Sequence, residues 1–236
     1  MLGGRYDRAE SLVLQALTVI GHGSGSEHVS ARQPAEGRRC QGEDDDLVTM
    51  SLCNRLGMIH KYQGRFSEAA RAYSRALRIA RKRLPPDHVG FASLFHNLGG
   101  LEHARGRFHR GEPLARQAIE IRERALGPNH HDVAGDLAAL AGLLDGQKRH
   151  AEAEMLYLRA LAIYERRLGP RHREIAHTQG NLGACYHFMG RNSDALRLVR
   201  QALAMQERVL GPEHPDVALT LANLATIRRA SPTTSV

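Results

Sequence analysis

One pentapeptide recurs at a constant interval, and that limits what this 236-residue chain can become. Leu84-Pro85-Pro86-Asp87-His88 returns, with Gly for the first Pro, as Leu126-Gly127-Pro128-Asn129-His130, Leu168-Gly169-Pro170-Arg171-His172 and Leu210-Gly211-Pro212-Glu213-His214; each step is 42 residues (126 − 84, 168 − 126, 210 − 168). A fixed period means that each unit is one supersecondary element whose apolar face is covered by its neighbour, so the fold must be argued repeat by repeat. A second marker keeps the same spacing: Gly57, Gly99, Ala141, Gly183 and Ala225, each preceded by Leu. Seven residues after the first four come Gly64, Gly106, Lys148 and Gly190, a turn signal in which only the third has a Cβ.

Two helices flank that turn. The first, about 49 to 63 in the first unit, carries Leu52, Leu56 and Ile59 at helical spacing, with the small marker beside Leu56 for close packing. The second, about 67 to 84, puts Ala69, Tyr73, Ala76 and Leu77 on one face and Arg71, Arg75, Arg78 and Lys82 on another, predicted to meet water. Later units repeat the inner set as Gly111, Ala115, Ala118; Ala153, Tyr157, Ala160; and Ala195, Val199, Ala202. Leu-Gly-Pro then stops the hairpin, because Gly accepts a left-handed conformation past a helix end and Pro lacks the amide to continue it. An acid follows at Asp132, Glu174 or Asp216, where the positive end of the next helix favours it.

The period alone would suit HEAT or armadillo repeats, but motif content points elsewhere. Leu56-Gly57, Ala69, Tyr73 and Ala76 follow the tetratricopeptide pattern, with eight extra residues lengthening helix and loop. The long form, with Leu-Gly-Pro-x-His-x-Asp-Val-Ala, resembles the repeats of kinesin light chains and of many bacterial proteins, over about 46 to 230. The resemblance implies an all-α, right-handed superhelical solenoid of antiparallel helical hairpins that serves protein-protein interaction.

Along the chain, 1–20 reads as a partial repeat with the second helix only, since Gly4-Arg5-Tyr6 with Ala9, Val13 and Ala16 matches a turn and second helix. Residues 21–46 read as a flexible insertion, because Gly, Ser, Arg and Asp44-Asp45 replace periodicity there. Four units fill 47–219, a lone first helix 220–230, and a disordered tail 231–236. Both ends look cut, so the chain is expected to be a fragment or an unusual gene product.

With 42% hydrophobic residues the chain has material for about ten helices, yet no apolar run approaches the ~20 residues of a membrane span. No export signal stands out, since 12–20 aligns with a repeat helix, and a reducing cytoplasm is expected. Cys40, Cys53 and Cys185 have no metal or redox spacing; Cys53 and Cys185 fall within first helices as buried thiols. Of the 33 basic residues 30 are Arg, scattered over every helix, and the net charge of +8 suits acidic protein segments better than nucleic acid, given no Trp and 5% aromatics.

Fourteen histidines raise a metal hypothesis that their positions oppose. His88, His130, His172 and His214 sit in equivalent loops of successive units, where a loop-bracing hydrogen bond is expected and convergence on one ion is not. His172 and His177 miss by one residue the spacing of four that a zinc protease helix needs. There is no Gly-Lys-Ser/Thr phosphate loop, and Gly21-His22-Gly23-Ser24-Gly25 lies in the insertion, not on a strand-to-helix elbow. No catalytic residue, metal or cofactor is expected.

The resemblance implies that a peptide or partner helix lies against the first helices, on positions six, three and two before the marker and one, four and five after it. Two before, the chain reads Arg55, Asn97, Ala139, Asn181, Asn223; four after, Lys61, His103, Asp145, His187, Arg229. The expected groove residues are Arg55, Lys61, Asn97, His103, Asn181, His187 and Asn223. Asn offers donor and acceptor and so can hold a peptide backbone without demanding a sequence; bracing of neighbouring helices is the competing role, and Ala139 interrupts the series. The carboxylate clamp of chaperone-binding relatives is missing, since Ser51, Ser93, Gly135, His177 and Leu219 stand where its Lys would be. Two other readings stay open: nucleic-acid binding through the Arg-rich surface, and a sensor or regulatory fragment of a larger bacterial signalling kinase or ATPase.

Overall fold

The computed structural model describes residues 3–23 and 35–230, with side chains over 4–21 and 44–230. Among the described residues there are ten α-helices and no strand: α1 (Gly3–Gly23), α2 (Ala35–Tyr62), α3 (Phe66–Arg83), α4 (Val89–Ala104), α5 (Phe108–Leu126), α6 (His131–Gly146), α7 (His150–Leu168), α8 (Arg173–Phe188), α9 (Asn192–Leu210) and α10 (Pro215–Ala230). None of them is long and apolar enough to cross a membrane.

The chain divides into two compact units, Met1–Arg107 and Phe108–Val236. In the first, α1 packs on α2, α2 on α3, α3 on α4, and α2 also on α4. In the second, each helix from α5 to α10 packs on the next, while the first helices α6 and α8, and α8 and α10, also touch. This is the expected stacking of antiparallel hairpins within each unit.

The hairpin turns work as the sequence indicates. Gly64, Gly106 and Gly190 have φ of 73°, 68° and 77°, and Lys148 takes the same left-handed conformation at φ 64°. An L side chain there costs roughly 1–2 kcal/mol, and the turn holds because Arg149 N still donates to Leu144 O at 3.0 Å, as Arg65 N does to His60 O at 2.8 Å. At the hairpin crossing, a Cβ on Gly57 would lie 2.5 Å from the Tyr73 ring, and one on Gly183 2.6 Å from Val199 Cγ2, so the small marker permits close approach. Tyr73 and Tyr157 are fully buried, each worth about 1.5–3 kcal/mol of removed apolar surface.

Two boundaries differ from expectation. Gly4 lies in the first turn of α1, not in a loop. Helix α2 begins at Ala35, so 35–46 is helical where an insertion was expected; no Pro interrupts the sequence from 35 to 84. The remainder of the insertion, 24–34, and the tail, 231–236, lie outside the described residues.

Candidate functional site

The predicted groove residues fall on first helices of both units, and their surroundings differ. On α2 and α4, Arg55 and His103 are exposed. Lys61 is half-buried, with Nζ 4.7 Å from the Tyr62 ring centroid and facing Gly100 of α4; its burial lowers its pKa. Asn97 Nδ2 donates to Asn54 Oδ1 at 2.9 Å and so braces α4 against α2.

In the second unit Asn181 on α8 and Asn223 on α10 are half-buried. The reason they lack such a brace is legible in register. Asn97 reaches a residue 43 positions earlier; the same subtraction from Asn181 and Asn223 gives Ala138 and Gly180, neither of which has a polar side chain. His187 is engaged at the turn instead, its Nδ1 2.8 Å from Asn192 Oδ1.

The loop histidines cap helices. His88, His130, His172 and His214 each place Nδ1 to accept the backbone N–H two residues on, at 3.0, 3.2, 3.3 and 3.2 Å. An accepting Nδ1 offers its lone pair, so the cap is made by the tautomer with its hydrogen on Nε2. The same geometry gives each loop a fixed exit into the next first helix.

Among the described residues, two groups of metal-type ligands come together: His130, His131 and Asp132, and Asp145, His150 and Cys185. The first contains a helix cap. In the second, His150 Nδ1 meets Asp145 Oδ1 at 2.5 Å, the counterpart of the His187–Asn192 contact one repeat later. The Cys185 thiol is fully buried, donates to His150 O at 3.5 Å, and is pushed up to about 12 by burial and then by Asp145. Both groups thus brace loops and turns.

Arginines of the turns form an arrangement that sequence reading missed. Arg65, Arg149 and Arg191 each bind an acid three residues on, Glu68, Glu152 and Asp194. Each also clasps a Glu of an earlier second helix: Arg65–Glu10 2.8 Å, Arg149–Glu112 2.8 Å and Arg191–Glu154 2.8 Å. Burial pushes the Glu112 carboxyl up, but bonds from Gln147, Arg116 and Arg149 outweigh it and hold it at about 2. These turn arginines are therefore engaged in internal ion pairs and do not add to a free basic surface.

Exposed aromatics also escaped sequence reading. Tyr62 and Phe188 stand five after the marker, on the face expected to meet a ligand, and both are largely exposed. Ala104, Gly146 and Ala230 fill that position elsewhere, so no periodic signal marked it. Leu219, six before the marker on α10, is exposed as well.

Models of the tetratricopeptide repeat match residues 49–90 and, in overlapping spans, 90–166, 137–208 and 174–231. Among solved structures, BtubC (BKLC) from P. vanneervenii is similar at 19% identity over 95% of this chain and 84% of that one, with a TM-score of 0.70. A putative kinesin light chain from Podosopora anserina with nearly identical TPR-like repeats matches at 23% identity over 77% and 87%, TM-score 0.61. The apo form of RapI matches at 18% identity over 77% and 63%, TM-score 0.62. Among curated proteins none matches significantly.

Proposed function

The chain belongs to the tetratricopeptide repeat family, and on that premise we propose that it is a non-catalytic scaffold whose first helices receive an extended peptide or a partner helix. The observation that carries this reading is the contrast within one repeat position: Asn97 is consumed by Asn54, while Asn181 and Asn223 face Ala138 and Gly180 in register and keep their amides for a ligand. In the second unit Phe188 and Leu219 supply exposed apolar surface beside these amides. In the first, Arg55, Lys61 and His103 supply basic or potentially basic groups, and with the net charge of +8 they favour a ligand with acidic residues.

Two amides clamping a peptide backbone contribute about 0.5–1.5 kcal/mol per hydrogen bond. Peptides selected from a display library, titrated calorimetrically, are expected to bind the Asn181→Ala/Asn223→Ala protein about 5- to 100-fold more weakly than the native protein. Asn97→Ala is expected to lower the melting temperature and leave affinity within about twofold. Undiminished binding by the Asn181/Asn223 double variant would discard the groove reading.

A further inference from the structure

Three ligand-type side chains meet where α6, α7 and α8 come together. Asp145 lies in the last turn of α6, His150 opens α7 and Cys185 lies in α8. Their donor atoms are all within 4.8 Å of one another, with Cys185 fully buried and Asp145 and His150 half-buried. The equivalent positions of the other units are Lys61, Phe66 and Leu101; His103, Phe108 and Leu143; and His187, Asn192 and Ile227. Leu101, Leu143 and Ile227 are buried hydrocarbon, and Phe66 packs against the cluster that holds Leu101. Replacing such an apolar pair by His150 and Cys185 beside a carboxylate loses hydrocarbon contact, so packing alone does not account for the three residues.

This cluster differs in kind from the other ligand group. His130, His131 and Asp132 are consecutive, and His130 Nδ1 is committed to a cap. Asp145, His150 and Cys185 come from three helices, which fix donors more firmly than one loop does. Zinc, bound by sulfur at about 2.3 Å and by nitrogen and oxygen at about 2.0–2.2 Å, needs donors roughly 3–4 Å apart. Small side-chain rotations bring the three to that spacing: the 2.5 Å Asp145–His150 contact opens, and the bond from the Cys185 thiol to His150 O is released. Arg191, a cation that acts on the thiol, is itself held by Glu154 and Asp194, so it does not neutralise a thiolate beside Asp145. A divalent ion does.

We propose that Asp145, His150 and Cys185 form a zinc site that links the turn of the α6–α7 hairpin to the first helix of the next, α8. Sulfur, nitrogen and oxygen donors together select zinc over calcium or magnesium, which take oxygen. The ion joins one carboxylate, one neutral imidazole nitrogen and one thiolate; the proton leaves the Cys185 thiol for solvent, and the imidazole keeps its hydrogen on the other nitrogen. Three protein ligands leave the fourth position to water. That position lies on the side where Asp145 and His150 reach solvent and where the Phe188 ring stacks 5.8 Å from the His150 ring. Asn181 and Asn223 are not ligands, so this site and the peptide-binding reading can fail separately.

Titration of the chelator-treated intact chain with zinc chloride, and with cobalt chloride as a spectroscopic probe, is the test. One cobalt per chain is expected to give a near-ultraviolet thiolate-to-metal charge-transfer band and the strong visible bands of tetrahedral coordination, both removed by an equivalent of zinc. Zinc is expected to raise the melting temperature of the native chain. Cys185→Ala, and His150→Phe, which copies Phe66 and Phe108, are expected to bind zinc more than about 100-fold more weakly, since loss of an outer-shell partner alone costs about 10- to 100-fold. Cys185→Ala also removes the charge-transfer band, whereas Cys53→Ala and His130→Ala/His131→Ala keep both band and affinity. Circular dichroism checks that each variant folds. A native chain without the charge-transfer band, as it would be if surface histidines alone took the metal, overturns the proposal. So does either folded ligand variant binding zinc like the native chain, or a band that follows Cys40 or Cys53 instead.

Discussion

The two units differ at one pair of repeat positions. In Met1–Arg107 the α3–α4 seam is apolar there, Ala80 and Leu94 both being buried, and a polar contact lies on the first-helix face as the Asn54–Asn97 brace. In Phe108–Val236 the equivalent seam positions are Arg122 and Asp136, then Tyr164 and Thr178, then Gln206 and Thr220, all buried, while the first-helix amides Asn181 and Asn223 face Ala138 and Gly180 in register. Arg122 Nη1 lies 3.0 Å from both Asp136 oxygens, and Asp136 is fully buried. A polar group inside a seam specifies which helices match, since a wrong neighbour strands it; one on the open face is available to a ligand unless a neighbour holds it.

The sharpest way to break this contrast is to leave one member of the buried pair alone. Asp136→Ala strands the Arg122 cation and is expected to destabilise the protein by about 3–5 kcal/mol in urea unfolding. Arg122→Ala/Asp136→Leu, which copies the Ala80/Leu94 seam, is expected to recover most of that loss. If the double variant is no more stable than the single one, the two seams are not interchangeable solutions.

A smaller effect is expected to be the same in both units. His88→Ala and His172→Ala each remove a cap acceptor and are expected to cost about 0.5–2 kcal/mol. Unequal losses would show that the units differ in more than polar placement.

Moving the brace sharpens the comparison further. Ala138→Asn puts an amide 43 residues before Asn181, as Asn54 lies before Asn97. It is expected to raise stability by about 0.5–1.5 kcal/mol and to lower peptide affinity correspondingly. A gain in stability without loss of affinity would separate Asn181 from binding.

A further effect is confined to acid. The folded-state pKa of Glu112 is depressed, from 4.5 to about 2. Its contribution is therefore whole above the ordinary carboxylate range and is lost as pH falls through that window toward about 2. Glu112→Gln should flatten the acid limb of stability against pH, and Glu10→Gln, at the equivalent clasp with a pKa lowered by Arg65 and Gln63 against the opposing effect of burial, should act with the same sign.

What was legible in the sequence was whatever repeats within one unit. The Gly turns, the Leu-Gly-Pro stops, the capping histidines and the small marker opposite Tyr73 or Val199 recur at one interval and have one physical reason each. Illegible were contacts whose partners lie in different repeats. Whether Asn97 braces or binds depends on Asn54, one repeat back and one residue off its own register. The Arg149–Glu112 and Arg191–Glu154 clasps span 37 residues, and Asp136 stands where other units carry Leu or Thr. The start of α2 was missed because 35–46 lacks apolar periodicity, although nothing in it forbids a helix.

The clasps at the turns have a mechanical consequence. Arg149 and Arg191 tie the bend of one hairpin to the outer helix of the hairpin before it, so under tension a hairpin cannot peel away until a charged link has been released. Added salt weakens such links by screening, and the force needed to detach successive hairpins should fall as ionic strength rises, even where the greasy interior between them is untouched.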